Sequence, residues 1–180
     1  MKHLSDEMNL VPIGTPILKK VPEPFNFEEE DAKKWATKLT NKMIELGGVG
    51  LAANQVGLDM AIMSIGVRNP TSGEEFSRVC FNPQLISVSD KHEVMREGCL
   101  SVPGLRLNIK RPIECTLKYF DENQEEKTEK YTGLAARVAL HEYDHMLGYN
   151  FMHRVSRLKL DRAMKSLDKR VKAFNRRTKD

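Results

Sequence analysis

The chain has 180 residues, enough for one domain to bury ~70% of the surface its unfolded form exposes without disulfide staples. A composition of 40% hydrophobic and 30% charged residues fits a soluble globular protein and argues against a disordered or membrane-embedded one. The net charge of +4 hides a division: residues 151–180 carry 11 Lys and Arg against 3 Asp, a local +8, which leaves −4 for residues 1–150. Any attraction to polyanions is therefore confined to the C-terminal end.

Other broad classes are disfavoured as well. No apolar run approaches the ~20 residues of a membrane span. The opening MKHLSDEMNLVPIG lacks the apolar stretch of a secretory signal. Cys80, Cys99 and Cys115 are an odd number without a C-x-x-C pair. That argues against a disulfide framework and for a reducing compartment: the cytoplasm, whether of a free cell, an organelle or a host. Neither membrane insertion nor sequence-specific DNA binding is expected.

Residues 10–21, with their prolines, read as an extended N-terminal segment. Asn26 to Leu46 reads as a helix, with Asn26 as cap, Glu29 closing a capping box, and Ala32, Trp35, Leu39, Met43 and Leu46 as the buried stripe. Gly47-Gly48 ends it. The next segment, Gly47 to Gly57, loosely fits the G-x-G-x-x-A dinucleotide fingerprint. That fingerprint needs a strand before the glycines and a helix after them, and here a helix precedes. A glycine-rich connector explains the glycines but not Gln55, whose amide could donate to a developing oxyanion.

Strand-like runs follow at 60–67, 78–81, 85–88, 105–109, 114–120 and 126–131. Asn69-Pro70, Thr71-Ser72-Gly73 and Asp121-Glu122-Asn123 punctuate them as turns. Between them lies Glu97-Gly98-Cys99-Leu100-Ser101. Most free cysteines are small buried hydrophobes, and Cys80 and Cys115 read that way. Cys99, in a tight polar setting, is also a candidate thiolate ligand.

Gly133 to Gly148 reads as a second helix, because Leu134, Val138, His141 and His145 recur at helical steps and Gly148 can stop it. It contains HEYDH. His141 and His145 share a helix face, so both imidazoles can reach one divalent ion, and Glu142 lies beside them, placed to act as a base on water. A catalytic metal needs a third protein ligand. Phe151 stands where a metzincin would have its third histidine, and no Glu follows Glu142. The third ligand must come from upstream, which raises the case for Cys99. The last helix is basic and amphipathic, with Val155, Leu158, Met164, Leu167, Val171 and Phe174 at helical spacing. The fold class is thus α+β: mixed or antiparallel strands around a central HExxH helix, with a basic C-terminal helix.

The three segments together resemble the peptide deformylase family, whose pattern runs GxGLAAxQ, EGCLS and QHExDHLxG in that order. Here the counterparts are Gly48 to Gln55, Glu97 to Ser101, and His141 to Gly148, with Leu140 in place of the usual glutamine and Met146 in place of the usual leucine. The resemblance spans most of residues 10–152. It implies that Cys99, His141 and His145 hold one divalent metal ion per chain, Fe2+ physiologically, with Zn2+, Ni2+ or Co2+ also accommodated. Glu142 would be the general base, and Gln55 with the backbone N–H of Leu100 would stabilise the oxyanion. Gly50 and Gly98 would bind the substrate backbone, while Val49, Leu134 and Val138 would line a methionine pocket. Asp144 and Arg111 would form an internal ion pair.

The implied reaction is hydrolysis of the N-formyl group from N-formylmethionine at the start of nascent polypeptides, releasing formate. The implied organisation is a metallohydrolase domain over residues 1–152 and a basic helix over 153–180 packed on it. The family also suggests a ribosome contact through that helix. A general metallopeptidase and a non-catalytic RNA-binding relative remain the rival readings.

Overall fold

The structure, a computed structural model, describes residues 8–68 and 75–177. The turn expected at 69–73 lies outside the described residues. The first helix, α1 (Ala32–Glu45), starts later than the sequence pattern suggests: Asp31, not Asn26, is its cap and accepts from the Lys34 N–H. Asn26 instead closes a turn, its Oδ1 accepting from the Glu28 N–H at 3.0 Å. A short polar side chain that bonds its own backbone two residues on favours a turn over a helix start. The buried stripe agrees with the expectation at Ala32, Trp35, Leu39 and Met43. Upstream, the segment read as extended contains a 3-10 turn over Pro16–Lys19 that buries Leu18.

Two strands were hidden in the sequence. The glycine-rich connector contains β1 (Gly50–Ala52), all three residues buried. The polar run His92–Cys99 is β4, and it shows little apolar alternation because most of it faces solvent. The other strands are β2 (Ile62–Arg68), β3 (Glu75–Val88), β5 (Val102–Pro112), β6 (Glu114–Phe120) and β7 (Glu126–Thr132). The runs at 78–81 and 85–88 are one strand, not two. Its register breaks between Phe81 and Gln84, where Asn82 sits at φ +50°. Asn82 Oδ1 accepts from the Phe25 N–H at 2.7 Å, so the break pins the N-terminal segment.

All strand pairs are antiparallel. Five strands form a sheet in the order β1-β2-β3-β6-β7, and β4 and β5 form a separate ribbon. The remaining helices are α2 (Gly133–Met146) and α3 (Arg157–Arg177). Period-two alternation sends Leu51, Ile62 and Val79 to α1 on one face, and Ala52, Met63 and Cys80 to α2 on the other. A third cluster joins Cys99, Val102, Leu105, Leu107 and Ile109 to Phe151 and to the α3 residues Leu160, Ala163 and Leu167. The stripe read on α3 therefore packs only in part: Leu167 is in that cluster, while Leu158, Met164, Val171 and Phe174 are exposed. Among the described residues no helix is long and apolar enough to cross a membrane.

Candidate metal centre

Helix α2 lies between the sheet and the ribbon, which brings HEYDH against the end of β4. Cys99 is the last residue of β4, and its register with Val102 makes Leu100-Ser101 the tip of a tight hairpin. Cys99, His141 and His145 are all buried and offer ligand atoms within 4.8 Å of one another. Cys99 Sγ is 3.4 Å from His145 Nε2. A tetrahedral ion with ~2.0–2.3 Å bonds to nitrogen and sulfur spaces its ligand atoms by roughly 3.3–3.6 Å. The trio fits such an ion. Two buried atoms beside it, Glu142 Oε2 and His145 Nδ1, have no hydrogen-bond partner among the described residues. Buried polar atoms are rarely left so, and a site that takes an ion and its water accounts for the carboxylate oxygen.

The histidines differ in their support. His141 Nδ1 is 2.9 Å from Glu97 Oε2, which turns its Nε2 towards Cys99. Glu97 also accepts from Arg111 Nε at 2.8 Å and from Arg137 Nη1 at 2.9 Å. Burial acts to raise the Glu97 carboxyl, but the hydrogen bonds from His141, Arg111 and Arg137 win and hold it at about 2. Arg111 continues the chain to Asp144 Oδ2 at 2.9 Å, the ion pair that the resemblance implies. It also reaches the Leu140 carbonyl at 3.2 Å. Leu140 itself is buried in the α2-facing core, so the position that carries glutamine in the family is here a packing position.

Glu97 and Arg137 were not singled out from the sequence as supports. Arg137 could have been: it sits one turn before His141, a buried cation on an otherwise apolar stretch of helix. Glu97 carries no spacing signal, because its partners come from β5 and α2.

Gln55 lies in a 3-10 turn (Ala53–Val56) directly after β1. Its Oε1 accepts from the Ala52 N–H at 2.8 Å, which fixes the amide so that Nε2 points at Cys99 Sγ, 3.3 Å away, and Ser101 Oγ, 3.1 Å away. Glu142 lies against Gly50: a Cβ built there would fall 2.8 Å from the Glu142 Cδ. Only glycine leaves that carboxylate its place. Burial pushes the Glu142 carboxyl up to about 7.

A cleft of about 580 Å³ opens onto this centre. Val49, Gly50, Gln55, Gly98, Cys99, Leu100, Leu134, Val138, His141 and Glu142 all line it, while His145 lies behind them, fully buried. Val49 and Leu134 are half exposed, as the apolar wall of an open groove would be. Two backbone edges border the cleft: β1 is an end strand of its sheet, and the β4 register breaks between Glu97 and Cys99, at Gly98.

An antiparallel α+β fold with a buried Cys-His-His trio and a carboxylate beside it defines the class of metal-dependent hydrolases. A family model described as polypeptide deformylase matches residues 7–161. The chain belongs to that family, and its activity is removal of the N-formyl group from nascent polypeptides. A peptide deformylase of Christiangramia forsetii is 36% identical over 161 residues, covering 83% of this chain and 82% of the relative. One of Chlorobium luteolum is 36% identical over 163 residues, covering 88% and 85%. Among solved structures, the peptide deformylase of Synechococcus elongatus in complex with actinonin superposes with a TM-score of 0.81 at 29% identity, covering 93% of this chain and 90% of that one. A probable peptide deformylase from Synechococcus phage S-SSM7 gives 0.76 at 28% identity, covering 83% and 100%.

Proposed function

We propose that Cys99, His141 and His145 hold one divalent metal ion, physiologically Fe2+, and that Glu142 is the general base of formyl hydrolysis. The observation that carries this reading is the buried Glu142 carboxylate, which belongs to a residue lining the cleft beside the trio and keeps one oxygen, Oε2, without a hydrogen-bond partner among the described residues. Zn2+, Ni2+ and Co2+ suit the same donors, since thiolate and imidazole discriminate weakly among them. When bound, the ion supplies Lewis acidity that polarises a carbonyl and eases deprotonation of water.

The residues then divide the work. Glu142 takes a proton as water attacks the formyl carbon. It returns that proton to the α-nitrogen as the C–N bond breaks, leaving formate and a free amine. A carboxyl near neutrality suits both transfers. Gln55 Nε2 and the Leu100 N–H donate to the carbonyl oxygen as it gains charge; losing one such donor typically costs ~10²–10³ in rate. The substrate chain lies extended between the β1 edge at Gly50 and the register break at Gly98, pairing as an added strand does. Val49, Leu134 and Val138 receive the methionine side chain. The peptide is a formylated nascent chain, met in the cytoplasm.

The variant Glu142→Ala tests the central role. Turnover falls to background while metal content by elemental analysis stays at one ion per chain. Loss of the ion in that variant would place Glu142 among the ligands and contradict the assignment.

The cationic face of α3 is proposed as a ribosome contact. Lys165, Lys169, Lys172 and Arg176 are exposed at three- and four-residue spacing and so share one face. The division into a hydrolase domain over 1–152 and a helix over 153–180 is part of the same reading, and the contacts of Leu160, Ala163 and Leu167 support it.

A further inference from the structure

The ionisable residues that line the cleft fall into two groups. Glu97, Cys99, Arg137, His141 and Glu142 are buried, and Glu97 bonds both Arg137 and His141. Arg96 and Arg106 are exposed, and among the described residues neither enters an ion pair. Among the described residues no exposed carboxylate lines the cleft. The free charge of these lining residues is therefore all positive.

Both arginines stand beside Gly98. Arg96 lies two residues before it on β4, paired with Asn108. Arg106 comes from the facing strand, next to the Leu107 that pairs with Glu97. A Cβ built on Gly98 would lie 2.8 Å from the Arg106 Cζ, so the guanidinium rests against the Gly98 backbone. A chain that pairs along Gly98 passes this guanidinium immediately after the reacting end. An extended chain advances ~3.3 Å per residue and alternates its side chains, so the second and third residues come within reach of a long arginine.

We propose that Arg106, assisted by Arg96, makes the cleft select formylated chains with a carboxylate side chain at the second or third residue and discriminate against lysine or arginine there. The inference deepens the deformylase reading and rests on it. A planar guanidinium fork matches a carboxylate in two parallel hydrogen bonds, and it repels a cation at the same place. The pair is exposed, so the effect is modest and screened by salt. It belongs in substrate capture, hence mainly in KM.

The test compares kcat/KM for C-terminally amidated formyl-Met tripeptides carrying Asp, Ala or Lys at the second or third residue. The metal-loaded wild-type enzyme is set beside Arg106→Gln, Arg106→Glu and Arg96→Gln. The wild type is expected to favour Asp over Lys by roughly fivefold at low salt, the difference lying mostly in KM and fading by 0.5 M NaCl. Arg106→Gln shrinks the ratio and Arg106→Glu inverts it, with a smaller change for Arg96→Gln. An Asp-to-Lys ratio near one in the wild type, or the same ratio in Arg106→Glu, overturns the preference while leaving the deformylase reading intact. Absence of formate from every peptide, the Ala one included, overturns both.

Discussion

Cys99 differs from the other two thiols in what surrounds it. Cys80 and Cys115 lie in the apolar core facing α2; burial pushes Cys115 up to about 11 and raises Cys80 as well. Cys99 lines the cleft between two histidines and Gln55 Nε2. Stripping the metal with a chelator and adding iodoacetamide at pH 8 is therefore expected to label Cys99 alone, with the metal-loaded protein protected. Peptide mass spectrometry reads the result, and preferential labelling of Cys80 or Cys115 would count against the ligand role. The cysteine, histidines, glutamate and glutamine that the structure gathers at one cleft were legible because their types and order are restricted by chemistry. Glu97 and Arg137 were not, because supporting residues need only arrive at the right place in space, from any element.

The elements were legible where one face is apolar and obscure where neither is. Helix α2 and strand β6 follow their expected bounds, whereas β4 is hidden because its exposed residues give no alternation. Strand β1 is hidden for the opposite reason: three small or apolar buried residues between glycines resemble a connector. The late start of α1 is a contest between caps that Asp31 wins.

At the far end of the sheet, β3, β6 and β7 share a polar cluster with a pH signature of its own. Tyr119 and Tyr131 donate to Glu129 Oε2 at 2.8 and 3.1 Å, and Arg78 Nε reaches both its oxygens at 3.1 Å. Burial acts to raise Glu129, but these hydrogen bonds and the Arg78 charge hold it below 4.5. A depressed native value means that the folded state favours the carboxylate. The stabilisation is thus full above the ordinary carboxylate range and is lost as pH falls through the lowered value. Urea midpoints at pH 7 and pH 3 should differ less in Glu129→Gln than in the wild type, and an unchanged difference would contradict the cluster's role.

At the scale of the molecule, the sequence pattern conveyed the α+β class and the helix that carries HEYDH, but not the separation of β4 and β5 into their own ribbon. Strand pairing depends on contacts far apart in the chain, and local alternation does not report them. That separation matters, because the cleft lies where the edge of one sheet meets the ribbon. The charge division gains a location as well: the local +8 of residues 151–180 falls largely on α3, which packs on the ribbon through Leu160, Ala163 and Leu167 and bonds the Gly104 carbonyl through Arg170. Replacing Lys165, Lys169, Lys172 and Arg176 with Gln leaves the packed residues untouched. It should abolish cosedimentation with ribosomes at low salt, since phosphate contacts release counterions and fall steeply with salt. Unchanged pelleting would refute the contact.

The central claim is that the Cys-His-His trio and Glu142 form a working deformylase. Its most direct test is formate release from a formyl-Met peptide by protein prepared without air, with the metal identified in the same sample. The expected result is stoichiometric formate, about one divalent ion per chain, and no cleavage of the same peptide lacking the formyl group. A metal-loaded protein that releases no formate, or that cuts the unformylated peptide, would contradict the account.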